Sequence, residues 1–278
     1  MENRAIWLKT AITCAVAAGK AILEVYDSAD MVVEKKADNS PLTLADRRSH
    51  DIIVAGIAGF GIPILSEEGR NIPFAERKQW SRMWIVDPLD GTKEFIKRNG
   101  EFTVNIALAE SGRPTMGVIF VPASDTLYFA DLDLGAFKID SWEKIGAGEK
   151  KPGEMDDLEA LVEKAFRMPL RHEKDRPFTI MGSRSHATPE LEAYVETMRH
   201  HYGEVEFISS GSSLKICLVA EGRADVYPRL GPTMEWDTAA GQAIAVASGA
   251  LVVRHDDGSV LAYNKENLLN PWFIVKRP

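Results

Sequence analysis

The chain has 278 residues, and its 33 Lys and Arg against 41 Asp and Glu give a net charge of −8. An apolar fraction of 45% and a charged fraction of 27% are those of a globular protein, and they exclude disordered, collagen-like and coiled-coil chains. The acidic balance also excludes a broad nucleic-acid-binding surface, because phosphate neutralisation needs clustered basic residues. As a bulk quantity, it disfavours a small anionic substrate as well.

The N-terminal segment predicts an amphipathic helix and not a targeting sequence. Residues 10–19 carry no charge, but Lys9 and Lys20 bound them and the helical spacing of apolar residues continues further. No apolar stretch approaches the ~18 residues of a membrane-spanning helix. Cys14 and Cys217 lie among apolar residues and indicate buried thiols in a reducing compartment. We therefore expect a cytoplasmic protein; no motif supports or excludes peripheral association with the inner membrane.

The first half of the chain predicts helices followed by an antiparallel sheet. A second helix is expected over residues 43–57, where Thr43 can cap the start and isoleucines form an apolar stripe. Short buried strands follow at residues 62–66 and 83–86. Apolar runs separated by turn residues then predict an antiparallel meander, with strands at residues 103–109, 116–121, 126–130 and 135–139.

The second half predicts alternating strands and helices. A charged connector with several glycines, residues 144–175, precedes it and contains a short helix at 158–166. The strands are expected near residues 178–181, 205–208, 224–227, 250–253 and 272–275, and the helices near 189–201, 214–221 and 238–249. This alternation is typical of an α/β unit. At roughly 150 residues per domain, the length fits an α+β subdomain over residues 1–141 and an α/β subdomain over residues 142–278.

The strongest chemical signal is Trp-Ile-Val-Asp-Pro-Leu-Asp-Gly-Thr-Lys at residues 84–93. A hydrophobic strand delivers Asp87 to a sheet edge, and Asp90 precedes a short helix. Two carboxylates three residues apart on a rigid turn can bind a hard cation such as Mg²⁺, and the N–H groups of Gly91 and Thr92 can bind phosphate. The alternative is that Asp90 caps the helix and Asp87 is an ordinary turn residue.

Two further acidic clusters strengthen the metal interpretation. Glu67 and Glu68 end a predicted strand, and Asp237 opens a helix rich in Ala and Gly. Each has a structural alternative, because Glu67 can be a solvated loop acid and Asp237 a plain helix N-cap.

Together these segments resemble the Mg²⁺-dependent, lithium-sensitive phosphatase family that includes inositol monophosphatase. The family pattern is a Glu-Glu pair, then Asp-Pro-Ile/Leu-Asp-Gly-Thr, then Trp-Asp before a small-residue helix; it appears here at residues 67–68, 87–92 and 236–237. The resemblance covers essentially the whole chain. It implies a layered α-β-α-β-α sandwich of the inositol monophosphatase and fructose-1,6-bisphosphatase type, with the metal site between two subdomains.

The resemblance also implies a set of metal ligands. Glu67, Asp87 and the carbonyl of Leu89 would bind a first Mg²⁺. Asp87, Asp90 and Asp237 would bind a second, with Asp87 bridging ions that are ~3.5–4 Å apart. A third, weaker Mg²⁺ would lie near Glu67. Mn²⁺ is a possible substitute, because oxygen ligands accept both ions.

The implied reaction is attack by an activated water. Asp46 and Thr92 would orient and deprotonate it, assisted by the ion near Glu67, and the water would attack phosphorus in line without a covalent phosphoenzyme. Asp46 would reach the third ion through water, and Glu68 would be a more distant acid. The substrate phosphate would contact Glu67, Leu89, Asp90, Gly91, Thr92 and Asp237.

The choice of phosphoester rests on the second half of the chain. Inositol phosphates, fructose 1,6-bisphosphate and 3′-phosphoadenosine 5′-phosphate are all candidates within the family. Ser212 and Lys215 stand one helical turn apart, and Arg229 lies a few residues before Asp237. Inositol monophosphatases usually have an acid at the position of Arg229, whereas arginine suits a second phosphate. Taken singly, Lys215 and Arg229 can be solvated surface charges.

This combination resembles the 3′(2′),5′-bisphosphate nucleotidases of the family, as do residues 36–41, 87–103 and 227–233. By that resemblance Ser212, Lys215 and Arg229 bind the 5′-phosphate. His186 lies near the adenosine, although a lone histidine can also be a surface or capping residue. The implied reaction converts 3′-phosphoadenosine 5′-phosphate (PAP) to AMP and phosphate, with the 5′-phosphosulfate (PAPS) as a second substrate.

Two other functions remain open at this point. One is a sugar phosphatase of the inositol monophosphatase kind, which Arg229 disfavours. The other is a non-catalytic nucleotide or metal sensor, which the complete set of ligands and water-activating residues disfavours. The expected partner is a small nucleotide bisphosphate and not a nucleic acid, in a monomer or homodimer.

Overall fold

The computed structural model describes residues 2–28, 33–35, 41–145, 157–170, 176–182 and 188–278. The helices in these ranges are α1 Glu2–Tyr26, α2 Leu44–Ile57, α3 Phe74–Arg77, α4 Thr92–Ile96, α5 Leu158–Lys164, α6 Pro189–Tyr202, α7 Leu214–Glu221 and α8 Glu235–Ala247. The strands are β1 Val33–Lys35, β2 Pro41–Thr43, β3 Ile64–Ser66, β4 Arg82–Asp90, β5 Thr103–Glu110, β6 Arg113–Val121, β7 Thr126–Asp131, β8 Gly135–Asp140, β9 Phe166–Arg167, β10 Phe178–Gly182, β11 Val205–Ser209, β12 Val226–Arg229, β13 Leu251–Arg254 and β14 Phe273–Lys276.

The predicted elements are confirmed, with shifts at their ends. The largest shift is in β4, which continues to Asp90 although the sequence predicts an end at residue 86. Its pairing with β5 is irregular between Asp87 and Asp90. Pro88 lies in this interval and has no N–H to donate, so the strand bends there instead of ending.

The larger sheet has the strand order β3-β4-β5-β6-β7-β8-β9 and is antiparallel except for the parallel pair β3 and β4. Both of its faces are buried. Trp84 and Val86 face a core with α1 and α2, whereas Met83 and Ile85 face a core with α7 and α8. Alternate residues of a strand point to opposite faces, so β4 packs against two helical layers.

The smaller sheet has the order β11-β10-β12-β14-β13, with β10 parallel to both β11 and β12. Met181 and Tyr227 on one face join the core with α7 and α8, and Ile180 and Val226 on the other face pack against α6. The order of layers is therefore α1 and α2, large sheet, α7 and α8, small sheet, α6. This is the expected α-β-α-β-α sandwich.

The large sheet takes its last strand, β9, from beyond residue 141. The division at 141/142 stays a prediction. Half of the predicted connector, residues 146–156 and 171–175, lies outside the described residues. Cys14 and Cys217 are buried and free, as predicted.

Helix α1 departs from one expectation. Residues Asn3–Tyr26 are long and apolar enough to span a membrane, although no stretch of that length was expected from the sequence. Half of the most apolar window is buried inside the fold, where Leu8, Ile12 and Ile22 enter the core with α2. The core helix of a soluble protein passes the same test, so this is weak evidence for a membrane span.

Candidate metal centre and active site

Three of the predicted metal ligands converge at one point. Asp87 and Asp90 lie at the end of β4, and Asp237 lies in the first turn of α8. One carboxylate oxygen of each is within 4.8 Å of the others. Asp87 is 1% exposed. Strand and helix thus bring together acids that are up to 150 positions apart in the numbering of the chain.

Glu67 is placed beside this group by the pairing of β3 with β4. Ser66 lies opposite Val86, and the N–H of Glu67 donates to the carbonyl of Val86 at 3.1 Å. Glu67 and Asp87 are the residues that come directly after this pair, so they lie next to each other at the same end of the two parallel strands. Asp46 approaches from another layer, in the first turn of α2, and is fully buried.

The electrostatics show that all five predicted acids interact. Burial raises the pKa of Asp87 well above its ordinary range, and the charges of Glu67, Asp90, Asp237 and Asp46 raise it further. Burial, followed by the charge of Asp90, raises the pKa of Asp237 to about 8. Without a cation, these carboxylates repel one another in a poorly hydrated space.

This arrangement fits a divalent metal ion. The donors are carboxylate oxygens, which Mg²⁺ and Mn²⁺ both prefer. A divalent cation would offset the charge repulsion that, together with the larger effect of burial, raises the pKa of Asp87. The clustering of the acids thus makes the metal interpretation stronger than a structural role for each acid alone.

Neither Asp90 nor Asp237 is the N-cap of its helix, although Asp237 takes part in the capping box of α8. The N-cap of α4 is Gly91 and not Asp90, with a φ of 92°. This left-handed conformation favours glycine, and a Cβ there would lie 3.0 Å from the carbonyl oxygen of Glu101. Asp237 is the third residue of α8, and its Oδ2 accepts from the N–H of Met234 at 2.8 Å. One oxygen of Asp237 is used in this way, and the carboxylate still meets Asp87 and Asp90.

The turn between Asp87 and Thr92 is held by its own hydrogen bonds. The N–H of Leu89 donates to Asp87 Oδ1 at 3.1 Å, and the Thr92 hydroxyl donates to the carbonyl of Leu89 at 3.4 Å. Thr92 therefore lies at the start of α4, close to the carbonyl that is predicted to bind metal.

A cavity of about 370 Å³ adjoins the acids. Asp90 and Asp237 line it together with Lys215 and Arg229. Gly91 and Ser212 also line this cavity. Opposite charges therefore share one space, as a substrate with two phosphates would require when a cation occupies the acidic part.

Lys215 is not a solvated surface charge. It is 6% exposed, and its Nζ donates to the carbonyls of Ser210 at 3.2 Å and Ser212 at 2.7 Å. Burial lowers the pKa of Lys215 to about 8. Arg229 is half-buried and donates to the carbonyl of Pro232 at 2.9 Å, and its Nε is buried without a hydrogen-bond partner among the described residues.

Of the residues that orient Asp90, the sequence singled out Ser212 alone, and as a phosphate ligand. The hydroxyls of Ser212 and Ser213 donate to Asp90 Oδ2 at 2.6 and 2.8 Å, and Asn105 Nδ2 donates to Ser213 Oγ at 2.9 Å. No role was predicted for Ser213, which adjoins Ser212, or for Asn105, which lies in a predicted strand. The available signal was a polar Asn105 directly before the apolar run of residues 106–109 in the predicted strand.

A second cavity of about 460 Å³ lies next to the first, and the two share Lys93, Tyr227 and Arg229. Pro228, Trp272 and other mainly apolar residues complete its lining. His186 lies outside the described residues.

Known proteins are similar over nearly the whole chain. Residues 3–274 match the model of the inositol monophosphatase family. The 3′(2′),5′-bisphosphate nucleotidase CysQ of Escherichia coli O157:H7 is 47% identical over 93% of this chain and 94% of its own. CysQ of Haemophilus influenzae is 34% identical over 96% and 91%. The crystal structure of CysQ from Bacteroides thetaiotaomicron, a bacterial member of the inositol monophosphatase family, is 51% identical, with a TM-score of 0.87 over 99% of this chain and 97% of that one. The chain therefore belongs to the inositol monophosphatase family.

Proposed function

We propose that the chain is a metal-dependent 3′(2′),5′-bisphosphate nucleotidase that hydrolyses the 3′-phosphate of PAP to give AMP and phosphate. The observation that carries this proposal is the single cavity that Asp90 and Asp237 share with Lys215 and Arg229. The acids suit a cation-bound phosphate, and the two cations suit a second phosphate. The relatives named as CysQ support the same activity.

In this proposal, five positions bind two to three Mg²⁺. Glu67, Asp87 and the carbonyl of Leu89 form one ligand set, and Asp87, Asp90 and Asp237 form the other. When bound, the ions supply positive charge to the phosphoryl group during transfer. Mn²⁺ would fit the same oxygen ligands.

The residues of the chain then position water and substrate. Asp46 accepts a proton from the attacking water, and the Thr92 hydroxyl orients it. The water oxygen forms a bond to phosphorus while the bond from phosphorus to the 3′-oxygen breaks. That oxygen takes up a proton from solvent and leaves as the ribose hydroxyl. Gly91 offers its N–H to the transferred phosphate.

The rest of the nucleotide extends away from the metal centre. Lys215 and Arg229, with Ser212, bind the 5′-phosphate, and the buried Nε of Arg229 suits an anion. The second cavity, beyond Arg229, receives the base. The contact of His186 with the adenosine stays a prediction. PAPS is a second substrate, and a cytoplasmic monomer or homodimer is the expected state.

A phosphate-release panel in the presence of Mg²⁺ tests the proposal. PAP, inositol 1-phosphate and fructose 1,6-bisphosphate are compared, with a metal-free control. We expect PAP to be preferred by about 10-fold or more, because charged hydrogen bonds to a second phosphate contribute about 1.5–3 kcal/mol each. Phosphate release from inositol 1-phosphate that equals or exceeds release from PAP would favour the alternative function as a sugar phosphatase. No release from any of them would favour a sensor.

A further inference from the structure

Helix α2 makes hydrogen bonds to β4, which carries Asp87 and Asp90, and to β3, which directly precedes Glu67. The Ser49 hydroxyl donates to the carbonyl of Pro88, in β4, at 2.6 Å. His50 Nδ1 is 2.9 Å from the hydroxyl of Ser66, the last residue of β3. Ser49 is fully buried and Ser66 is 6% exposed. Neither Ser49 nor His50 belongs to the ligands or water-activating residues described above.

The bond from Ser49 acts on Asp87 through one peptide group. The carbonyl of Pro88 and the N–H of Leu89 belong to the same planar unit. The Ser49 hydroxyl donates to the oxygen of this peptide group, and the N–H of the same peptide group, that of Leu89, donates to Asp87 Oδ1 at 3.1 Å. Fixing the oxygen fixes the direction of the N–H, and hence the side from which Asp87 receives a hydrogen bond. The register of β4 with β5 is irregular here, so regular pairing does not fix this peptide.

The bond from His50 acts on the other strand. Ser66 directly precedes Glu67, whose N–H donates to the carbonyl of Val86 at 3.1 Å. The end of β3 is therefore held by β4 and by His50. Asp46 lies four residues before His50, on the same face of the helix. One rigid helix thus relates the positions of Asp46, Glu67 and Asp87.

We propose that Ser49 and His50 are positioning residues for the metal centre, Ser49 acting on Asp87 through the peptide of Pro88 and Leu89, and His50 acting on Glu67 through Ser66. This inference rests on the proposed metal site. Residues that orient metal ligands typically change metal affinity by about 10–100-fold when they are removed. Ser49→Ala and His50→Ala should therefore weaken Mg²⁺ binding more than they weaken the fold.

A matched control separates this role from ordinary stabilisation. Ser248 is also a buried serine, and its hydroxyl donates to a backbone carbonyl, that of Ala245, at 2.7 Å. It lies after the C-terminal end of α8, whereas Asp237 lies near the helix's start. Ser248→Ala removes the same kind of hydrogen bond without touching the metal ligands. For His50, Asn is the conservative variant, because its amide offers a polar atom at the δ position of the imidazole.

The test is a Mg²⁺ titration of the substrate-free protein, followed by the rise in melting temperature. We expect Ser49→Ala and His50→Ala to need about 10-fold more Mg²⁺ for half of the rise, with Ser248→Ala like the wild type and His50→Asn partly restored. Unchanged Mg²⁺ dependence in Ser49→Ala and His50→Ala would overturn the inference while leaving the metal site intact.

Two further outcomes are decisive. If the wild type shows no Mg²⁺-dependent rise, the proposed metal site is wrong, and the positioning role is wrong with it. If Ser49→Ala does not fold, the comparison of His50→Ala with His50→Asn decides, since equal Mg²⁺ dependence of these two would overturn the role of the hydrogen bond.

Discussion

The hydroxyl of Ser212 donates a 2.6 Å hydrogen bond to Asp90, and so joins the start of α7 to the metal centre. The carbonyl of Ser212 accepts a hydrogen bond from Lys215 at 2.7 Å. One residue thus connects a proposed metal ligand to a proposed ligand of the 5′-phosphate. The two ends of the substrate site are therefore held in a fixed relationship.

We expect Ser212→Ala to lower kcat/KM for PAP by about 10-fold, because a hydrogen bond to a charged group is lost. The Mg²⁺ concentration for half-maximal activity should rise as well, since Asp90 loses an orienting partner. Steady-state kinetics at several Mg²⁺ concentrations measure both effects. Unchanged Mg²⁺ dependence would show that the bond to Asp90 does not orient the ligand.

Asp46→Asn should remove the base that activates water. A positioned general base contributes about 10²–10⁴-fold to rate. We expect kcat for PAP to fall within that range while the protein stays folded. Asp51→Asn, on the exposed side of the same helix, is the matched control and should leave kcat unchanged. Wild-type activity of Asp46→Asn would contradict the proposed mechanism.

In the metal-free protein, the free energy of unfolding should fall as the pH rises. In the metal-free protein, burial and the charge of Asp90 raise the pKa of Asp237 to about 8 from its ordinary 3.8. Between these values the folded protein keeps a proton that the unfolded chain has lost, so the free energy of unfolding falls as the pH rises and levels off above about pH 8.

Urea unfolding across this pH window, with a chelator or with Mg²⁺, measures the effect. Mg²⁺ should flatten the fall, because the cation stabilises the ionised carboxylates. Asp237→Asn should reduce the slope in the chelator. A metal-free protein that becomes more stable with rising pH would contradict the electrostatic description of the site.

Arg229→Glu places an acid where inositol monophosphatases usually have one. We expect kcat/KM for PAP to fall by about 100-fold or more, because an attractive charge becomes a repulsive one beside the 5′-phosphate. Inositol 1-phosphate, which has no second phosphate, should be affected much less. A uniform loss for both substrates would indicate a structural role for Arg229.

The sequence predicted those parts of the site whose residues lie close together in the chain. Asp87, Asp90 and Thr92 share one turn, so their relation follows from the motif, and the parallel pairing of β3 with β4 places Glu67 beside them. Strand and helix periodicity predicted the elements, and the family resemblance implied their layers. The confirmed layers are those of the inositol monophosphatase family.

Contacts between distant segments were not predictable in the same way. Asn105 meets Ser213 and Ser49 meets Pro88 only after the sheets and helices have packed, and each of these residues has an ordinary role in its own segment. The burial of Lys215 is a similar case, since a lysine in a helix is most often solvated. The alternatives for Asp90 and Asp237 as N-caps failed because each helix starts one to three residues away from the expected position.

The most direct test of the central claim compares PAP with adenosine 3′-monophosphate, which lacks only the 5′-phosphate, in the wild type and in Lys215→Met. If Lys215 and Arg229 bind the 5′-phosphate, the wild type should prefer PAP in kcat/KM by about 100-fold. Lys215→Met should lose about 10-fold or more of that preference, with kcat/KM for PAP falling much more than kcat/KM for the monophosphate. Equal use of the two substrates by the wild type, or a preference unchanged in Lys215→Met, would contradict the claim that one cavity binds both phosphates.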